Sequence, residues 1–291
     1  MLAQRPVAHR LCWSCQHQQQ IYCYSSIRSG PSSTMLCYVP IIFLALLLHG
    51  QPAQVVCFGD SHTRGVCGAP WVVALSKRLN RACANRGVNG ETVAAVARRI
   101  SLERPSEDAV VLVGTNDALL ELAWRAGSTR MLRMYLEQNR LSSNYIPSAS
   151  KFGAAYRRLL AEVPARRIVA TSLPPIGEAS TGIAADIISE YNAEIRAAVE
   201  LDRRLVYAPF FEALHPWPTL QRGGGALFDG SAKCFSNFVR DMTLNMAARA
   251  LPFGSFDRLA RQRGRSVTHD QVHLTEASAA TLVDVLAGRL A

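Results

Sequence analysis

A serine near one end of this chain and an Asp–His pair near the other have the types and spacing of a nucleophile and its base. Ser61 lies in Gly59-Asp-Ser-His-Thr-Arg64, directly after the apolar run 55–58, which reads as a short buried strand. A tight turn at the carboxyl end of a strand holds a hydroxyl toward a crevice. The same residues also suit a plain turn in which Ser61 caps a helix. Far downstream, Thr268-His-Asp-Gln-Val-His-Leu-Thr275 runs into a helical stretch over 276–290. Asp270 and His273, three apart in a short loop, can meet as carboxylate and imidazole of one turn. A serine hydroxyl is a weak nucleophile at neutral pH and needs such a base. The competing reading makes Thr275 an N-cap, Asp270 a turn residue and His273 a surface histidine. His269 and His273, four apart, have the spacing of a metal pair. No Glu follows the first and no third ligand is near, so no metal or other cofactor is expected.

Two more polar turns follow apolar runs. Asn85-Arg-Gly-Val-Asn-Gly-Glu-Thr92 carries Gly87 and Gly90 and opens a helix over 93–100. Backbone N–H groups at such a helix start are unpaired and suit an anion. The run 108–113 is the clearest strand and ends in Gly114-Thr-Asn-Asp117.

The elements that must position these turns alternate. Strands are expected over 55–58, 82–84, 108–113, 167–172 and 205–207. Helices are expected over 68–79, 93–100 and 184–199, with 118–163 helical in two parts around a Ser-rich loop at 141–150. Further helices are expected over 232–250, 256–261 and 276–290. Alternation without hairpin signals argues for an α/β class: a roughly five-stranded parallel sheet between two helical layers. The site of such a sheet lies at the carboxyl edge of its strands, so the turns after the first three strands converge there.

The chain has 291 residues and a net charge of +10, with 49% hydrophobic and 19% charged residues. The positives are mostly dispersed Arg rather than a compact run with interleaved aromatics, so no nucleic-acid partner is expected. Residues 1–50 lack a helical or strand period and are read as a leader outside the fold, with 51–291 as the domain. The apolar run 39–48 is short for a membrane span. It suits a signal peptide starting at Met35, a membrane-proximal anchor, or a misplaced start. Cytoplasmic or exported placement depends on whether 35–53 acts as such a segment, and membrane contact is expected only through 39–48. Cys12-Trp-Ser-Cys15 has no second pair beside it, and Cys57, Cys67, Cys83 and Cys234 are scattered, which favours apolar packing over a disulfide scaffold.

Gly59-Asp-Ser61, Gly90, Gly114-Thr-Asn116 and Asp270-x-x-His273, in this order, resemble the SGNH hydrolases, also called the GDSL esterase/lipase family. The likeness covers 54–291 and implies that family's flavodoxin-like three-layer α/β/α fold. It implies Ser61 as nucleophile, His273 as base and Asp270 as its orienting carboxylate. An oxyanion hole would be formed by the backbone N–H of Ser61, the N–H of Gly90 and the side-chain amide of Asn116. Gly87 is assigned to the turn. The family often has Leu or Ile after the serine; His62 stands there instead and is expected to face solvent. The implied activity is hydrolysis of a small-molecule or lipid carboxylic ester through an acyl-enzyme. The alternatives are a thioesterase or a carbohydrate O-deacetylase of the same family, and a non-catalytic binding module. The segments 119–150 and 215–265 are expected to wall the acyl pocket, with Tyr145, Trp217 and Phe228 as candidate lining residues.

Overall fold

The computed structural model describes residues 54–214, 228–251 and 254–291. The expectations for the leader, including Cys12, Cys15 and the run 39–48, and for Trp217 lie outside the described residues. Five strands, β1 (Val55–Gly59), β2 (Cys83–Gly87), β3 (Ser106–Leu112), β4 (Ala165–Thr171) and β5 (Leu205–Ala208), form one parallel sheet in the order β2-β1-β3-β4-β5. β1 is buried along its whole length, as a central strand covered on both faces must be. Its Val, Cys and Phe side chains each gain roughly 1.5–3 kcal/mol by leaving water.

Helices occupy both faces. α1 (Ser61–Arg64) and α2 (Trp71–Leu79) follow β1, α3 (Val93–Ile100) follows β2, and α4 (Thr115–Arg125), α5 (Thr129–Gln138) and α6 (Ala149–Glu162) follow β3. α7 (Ile183–Val199) joins β4 to β5, and α8 (Phe210–Leu214), α9 (Ala232–Arg249), α10 (Phe256–Arg261) and α11 (Glu276–Leu290) come after. α11 packs on α2 and α8, while α3, α6 and α7 pack in series. The chain is thus an α/β protein with helices flanking a five-stranded parallel sheet.

Of the boundaries that differ from the sequence reading, three have a direct physical reason. β2 runs on to Gly87 because Asn85 and Arg86, polar enough to read as loop, lie on an edge strand where one side meets solvent. The region expected as two helical parts holds three helices, because Gly127 adopts φ +66° and ends α4 before Thr129 starts α5. α2 begins at Trp71 rather than Gly68, since Gly68 and Ala69 lie against His273 and Leu274.

At the amino ends of the strands, Asp108 is 1% exposed and accepts from Arg81 Nη2 at 2.5 Å and Arg167 Nε at 2.6 Å. Both guanidinium groups also bond the Leu290 carbonyl. This clamp ties β3, β4 and the end of α11 together on the side away from the polar turns.

Candidate active site

Strand order reverses between β1 and β3, and a crevice opens at the carboxyl ends of such a pair. The turn after β1 presents Ser61 there, as the first residue of α1. Its Oγ lies 2.9 Å from His273 Nε2, and His273 Nδ1 lies 2.7 Å from Asp270 Oδ2. The other carboxylate oxygen, Asp270 Oδ1, accepts the backbone N–H of His273 at 2.7 Å and of Val272 at 3.0 Å. Asp270 is therefore saturated by its own turn and can hold the imidazole in one orientation. Thr275 also caps α11 by accepting from Ser278 N–H, so the helix-cap reading and the Asp–His pair coexist.

Electrostatics follow the geometry. Burial drives the Asp270 carboxyl upward, but the charge and hydrogen bonds of His273 outweigh it and bring it to about 2. Burial drives His273 downward; the Asp270 charge and hydrogen bond outweigh that and raise the imidazole above its ordinary 6.5. Each partner favours the charged form of the other.

Asn116, after β3, bridges all three turns. Its Nδ2 donates to Asp60 Oδ2 at 3.2 Å and to the Glu91 carbonyl at 3.0 Å. Burial pushes Asp60 up to about 7, against the pull of the His62 N–H and the His273 charge. Gly90 adopts φ +76°, a left-handed conformation that favours glycine. Among the described residues, neither the Ser61 nor the Gly90 N–H donates to another group. Asn139, which carries no local signal that singles it out, fixes the Gly90 loop. Its Oδ1 accepts Thr92 N at 2.8 Å and Thr92 Oγ1 at 3.0 Å, and its Nδ2 donates to the Gly90 carbonyl at 3.1 Å.

Two sequence expectations need correction. Gly87 does not serve a turn: it ends β2, and a Cβ there would collide with the backbone of Thr63 and Arg64. A bare backbone at this point lets β2 approach the serine helix, and Asn85 Nδ2 bonds Thr63 O at 2.7 Å to hold it. His62 does not face solvent either. It is 3% exposed, its ring centroid lies 5.6 Å from that of His273, and neither ring nitrogen has a hydrogen-bond partner among the described residues. Short helix α1 turns the residue after Ser61 inward, under Trp71, whose Nε1 donates to the His62 carbonyl. Burial and the nearby His273 charge lower this imidazole to about 3.

The ligand atoms of His269, Asp270 and His273 lie within 4.8 Å of one another. His269 Nε2–H donates to the Cys67 carbonyl at 2.7 Å, which leaves Nδ1 to accept Asn245 Nδ2 at 3.0 Å. Both nitrogens of that ring are committed, and its face stacks on Phe256 at 4.1 Å. His269 Nδ1 stays 3.9 Å from Asp270 Oδ2, so the hydrogen-bonded pair behind Ser61 is His273 with Asp270, and His269 packs beside it. Of the other expected residues, Tyr145 is half-buried beside Lys151. Phe228 is buried edge-on to Phe235 and Phe238, and Phe238 stacks on His273 at 5.8 Å. A cavity of about 200 Å³ lies beside Phe228, lined by Ile176, Ala179, Ile183 and Ala184.

The model of the GDSL-like lipase/acylhydrolase family matches residues 57–234. The chain belongs to this family. It is an ester-hydrolysing enzyme. The matched stretch includes Ser61, Gly90 and Asn116 and stops before Asp270 and His273. No curated protein matches. Among solved structures, an acetyl xylan esterase, AlAXEase, superposes with TM-score 0.50 at 15% identity, covering 81% of this chain and 99% of that one. Axe2, an acetylxylan esterase from Geobacillus stearothermophilus, gives TM-score 0.48 at 16% identity over 81% of this chain and 93% of its own. LAE5, an α/β hydrolase from the metagenome of Lake Arreo, Spain, gives 0.49 at 14% identity over 82% and 96%. At such identities the likeness speaks to the fold alone.

Proposed function

We propose that this GDSL-family enzyme cleaves carboxylic esters through a Ser61 acyl-enzyme, with His273 and Asp270 completing a triad. The observation that carries this reading is the buried relay from Ser61 Oγ to His273 Nε2 to Asp270 Oδ2, at 2.9 and 2.7 Å. As Oγ attacks the ester carbonyl carbon, His273 Nε2 takes the serine proton, and Asp270 stabilises the imidazolium. The tetrahedral oxyanion is met by the N–H groups of Ser61 and Gly90 and by Asn116 Nδ2. The 3.2 Å bond from Asn116 to Asp60 is the weaker of its two and the one the oxyanion competes for. Losing one such donor costs about 10²–10³ in rate. The C–O bond then breaks, and the leaving alkoxide takes the proton from His273. Water, deprotonated by the same imidazole, attacks the acyl carbonyl and releases the carboxylic acid and free Ser61.

The test is turnover of nitrophenyl acetate, butyrate and octanoate and of a matched thioester by the wild type and by Ser61→Ala, with fluorophosphonate labelling. Turnover and labelling that both vanish in Ser61→Ala support the reading. Turnover retained in that variant overturns it, and no turnover or labelling in the wild type would return the chain to a binding module. The panel also separates the ester, thioester and short-acyl substrate classes.

A further inference from the structure

After β4 the chain continues as Leu173-Pro-Pro-Ile-Gly-Glu178 and meets the loop that carries Asp270 and His273. Glu178 is 1% exposed. Its Oε1 accepts the backbone N–H of Ser266 at 3.0 Å, of Val267 at 2.8 Å and of Thr268 at 2.8 Å, with the Thr268 hydroxyl at 3.3 Å. Its Oε2 shares only the Ser266 N–H, at 3.0 Å. One residue earlier, the Gly177 N–H donates to the Gln271 carbonyl at 2.6 Å. Among the described residues, no cation lies within ion-pair distance of Glu178. Among those residues, the carboxylate is met by three aligned backbone N–H groups and one hydroxyl.

The gripped loop is closed on itself. Thr268 and Leu274 form an antiparallel bridge, His269 N–H donates to His273 O at 3.1 Å, and Thr275 N–H donates to Val267 O at 3.0 Å. Asp270 and His273 therefore ride on a narrow two-stranded finger. Glu178 holds that finger at its base and Gly177 holds it at Gln271, beside Asp270. Gln271 has φ +84°, a conformation that persists only where the surroundings impose it. A buried carboxylate costs stability unless its hydrogen bonds are complete, and an apolar residue would serve mere packing with less demand.

We propose that Glu178 is a positioning residue of the reaction: it fixes the Asp270–His273 finger against the end of β4 and thereby sets the Ser61–His273 distance. This rests on the reading of Ser61 and His273 as nucleophile and base. Misplacing a reacting group by about 1 Å costs about 10² in rate. Removal of the carboxylate in Glu178→Ala is therefore expected to lower kcat at least thirtyfold, roughly, with KM held within about threefold. The acid limb of the pH profile should move to lower pH as Asp270 loosens its hold on His273. Glu178→Gln keeps an oxygen for Val267 and Thr268 and loses only the acceptor at Oε2, so it should recover kcat to within roughly fivefold of wild type. Glu178→Asp keeps the charge but falls short by one methylene; its kcat should drop at least tenfold, roughly, and it serves if Glu178→Ala does not fold.

All rates are taken per folded molecule, counted by near-ultraviolet dichroism. Wild-type kcat and an unmoved acid limb in both Glu178→Ala and Glu178→Asp would overturn the proposal, even if both lose thermal stability. Ser61→Ala is the separate control: turnover retained there sinks the underlying reading rather than the role of Glu178.

Discussion

Replacing His62 with Leu should make the protein more stable, and increasingly so in mild acid. The wild-type imidazole is 3% exposed with both nitrogens unpartnered, and an unsatisfied buried polar group costs about 1–3 kcal/mol. Folding lowers its pKa from 6.5 to about 3, so the unfolded chain binds the proton first. The sign follows: stability from this residue is undiminished above pH 6.5 and falls as pH drops below it, levelling only near 3. At pH 5 the gap is about 1.5 pH units of unfolded-state protonation, or ~2 kcal/mol at 1.36 kcal/mol per unit. His62→Leu lacks that penalty, while every other titrating group is common to both proteins and nearly cancels in the difference. Urea unfolding at pH 7.5 and pH 5 should show the variant ahead by about 1–3 kcal/mol at the higher pH and by a further ~2 kcal/mol at the lower. In melting temperature the extra step is about 4–8 °C. A variant no more stable than wild type at pH 7.5, with an unchanged pH slope, would show that the buried His62 ring carries no such penalty.

Other outcomes follow from the same geometry. Asp270→Asn should lose about 10⁴ in kcat. Its Oδ1 must stay on the two backbone N–H groups, which turns the amide NH₂ toward His273 Nδ1 and leaves Nε2 protonated against Ser61; a variant retaining a tenth of wild-type kcat would contradict this. The acid limb of kcat/KM should have its midpoint above 6.5, because Asp270 raises His273; a midpoint below 6.5 in stopped-pH assays would count against it. Asp108→Ala strips an acceptor from the part-exposed Arg81 and Arg167 and should cost about 1–3 kcal/mol in urea unfolding, with little effect on KM. A loss under ~1 kcal/mol would show the clamp to be ornamental.

Much of the site was legible because its parts sit where strand period breaks into polar turns. Val55–Phe58, the run ending at Val113, and the Asp270–His273 spacing each carry a local signal, and sheet topology brings them together. His62 was misread because its burial comes from Trp71 and His273, which no local pattern around residue 62 announces. Gly87 was misread because close approach of two backbones leaves the same trace as a turn. Asn139 and Glu178 gave still less: each is one polar residue whose contacts to the loops it holds span 47 to 90 positions. A lone Glu in Leu173-Pro-Pro-Ile-Gly-Glu-Ala179 is the one faint cue, an acid set in an otherwise apolar stretch.

The 212-residue separation of Ser61 and His273 also imposes an order in time. At ~5–20 residues per second, the serine is made roughly 10–40 s before the imidazole proposed to activate it. Over that interval the nascent chain holds Ser61 without its proposed base, while β2 to β5 are still being made. On the proposed mechanism, activity waits for the finger bearing Asp270 and His273 to be made and packed. All five strands precede Gly264 in the chain, so a chain ending there would keep every strand and lack the proposed base.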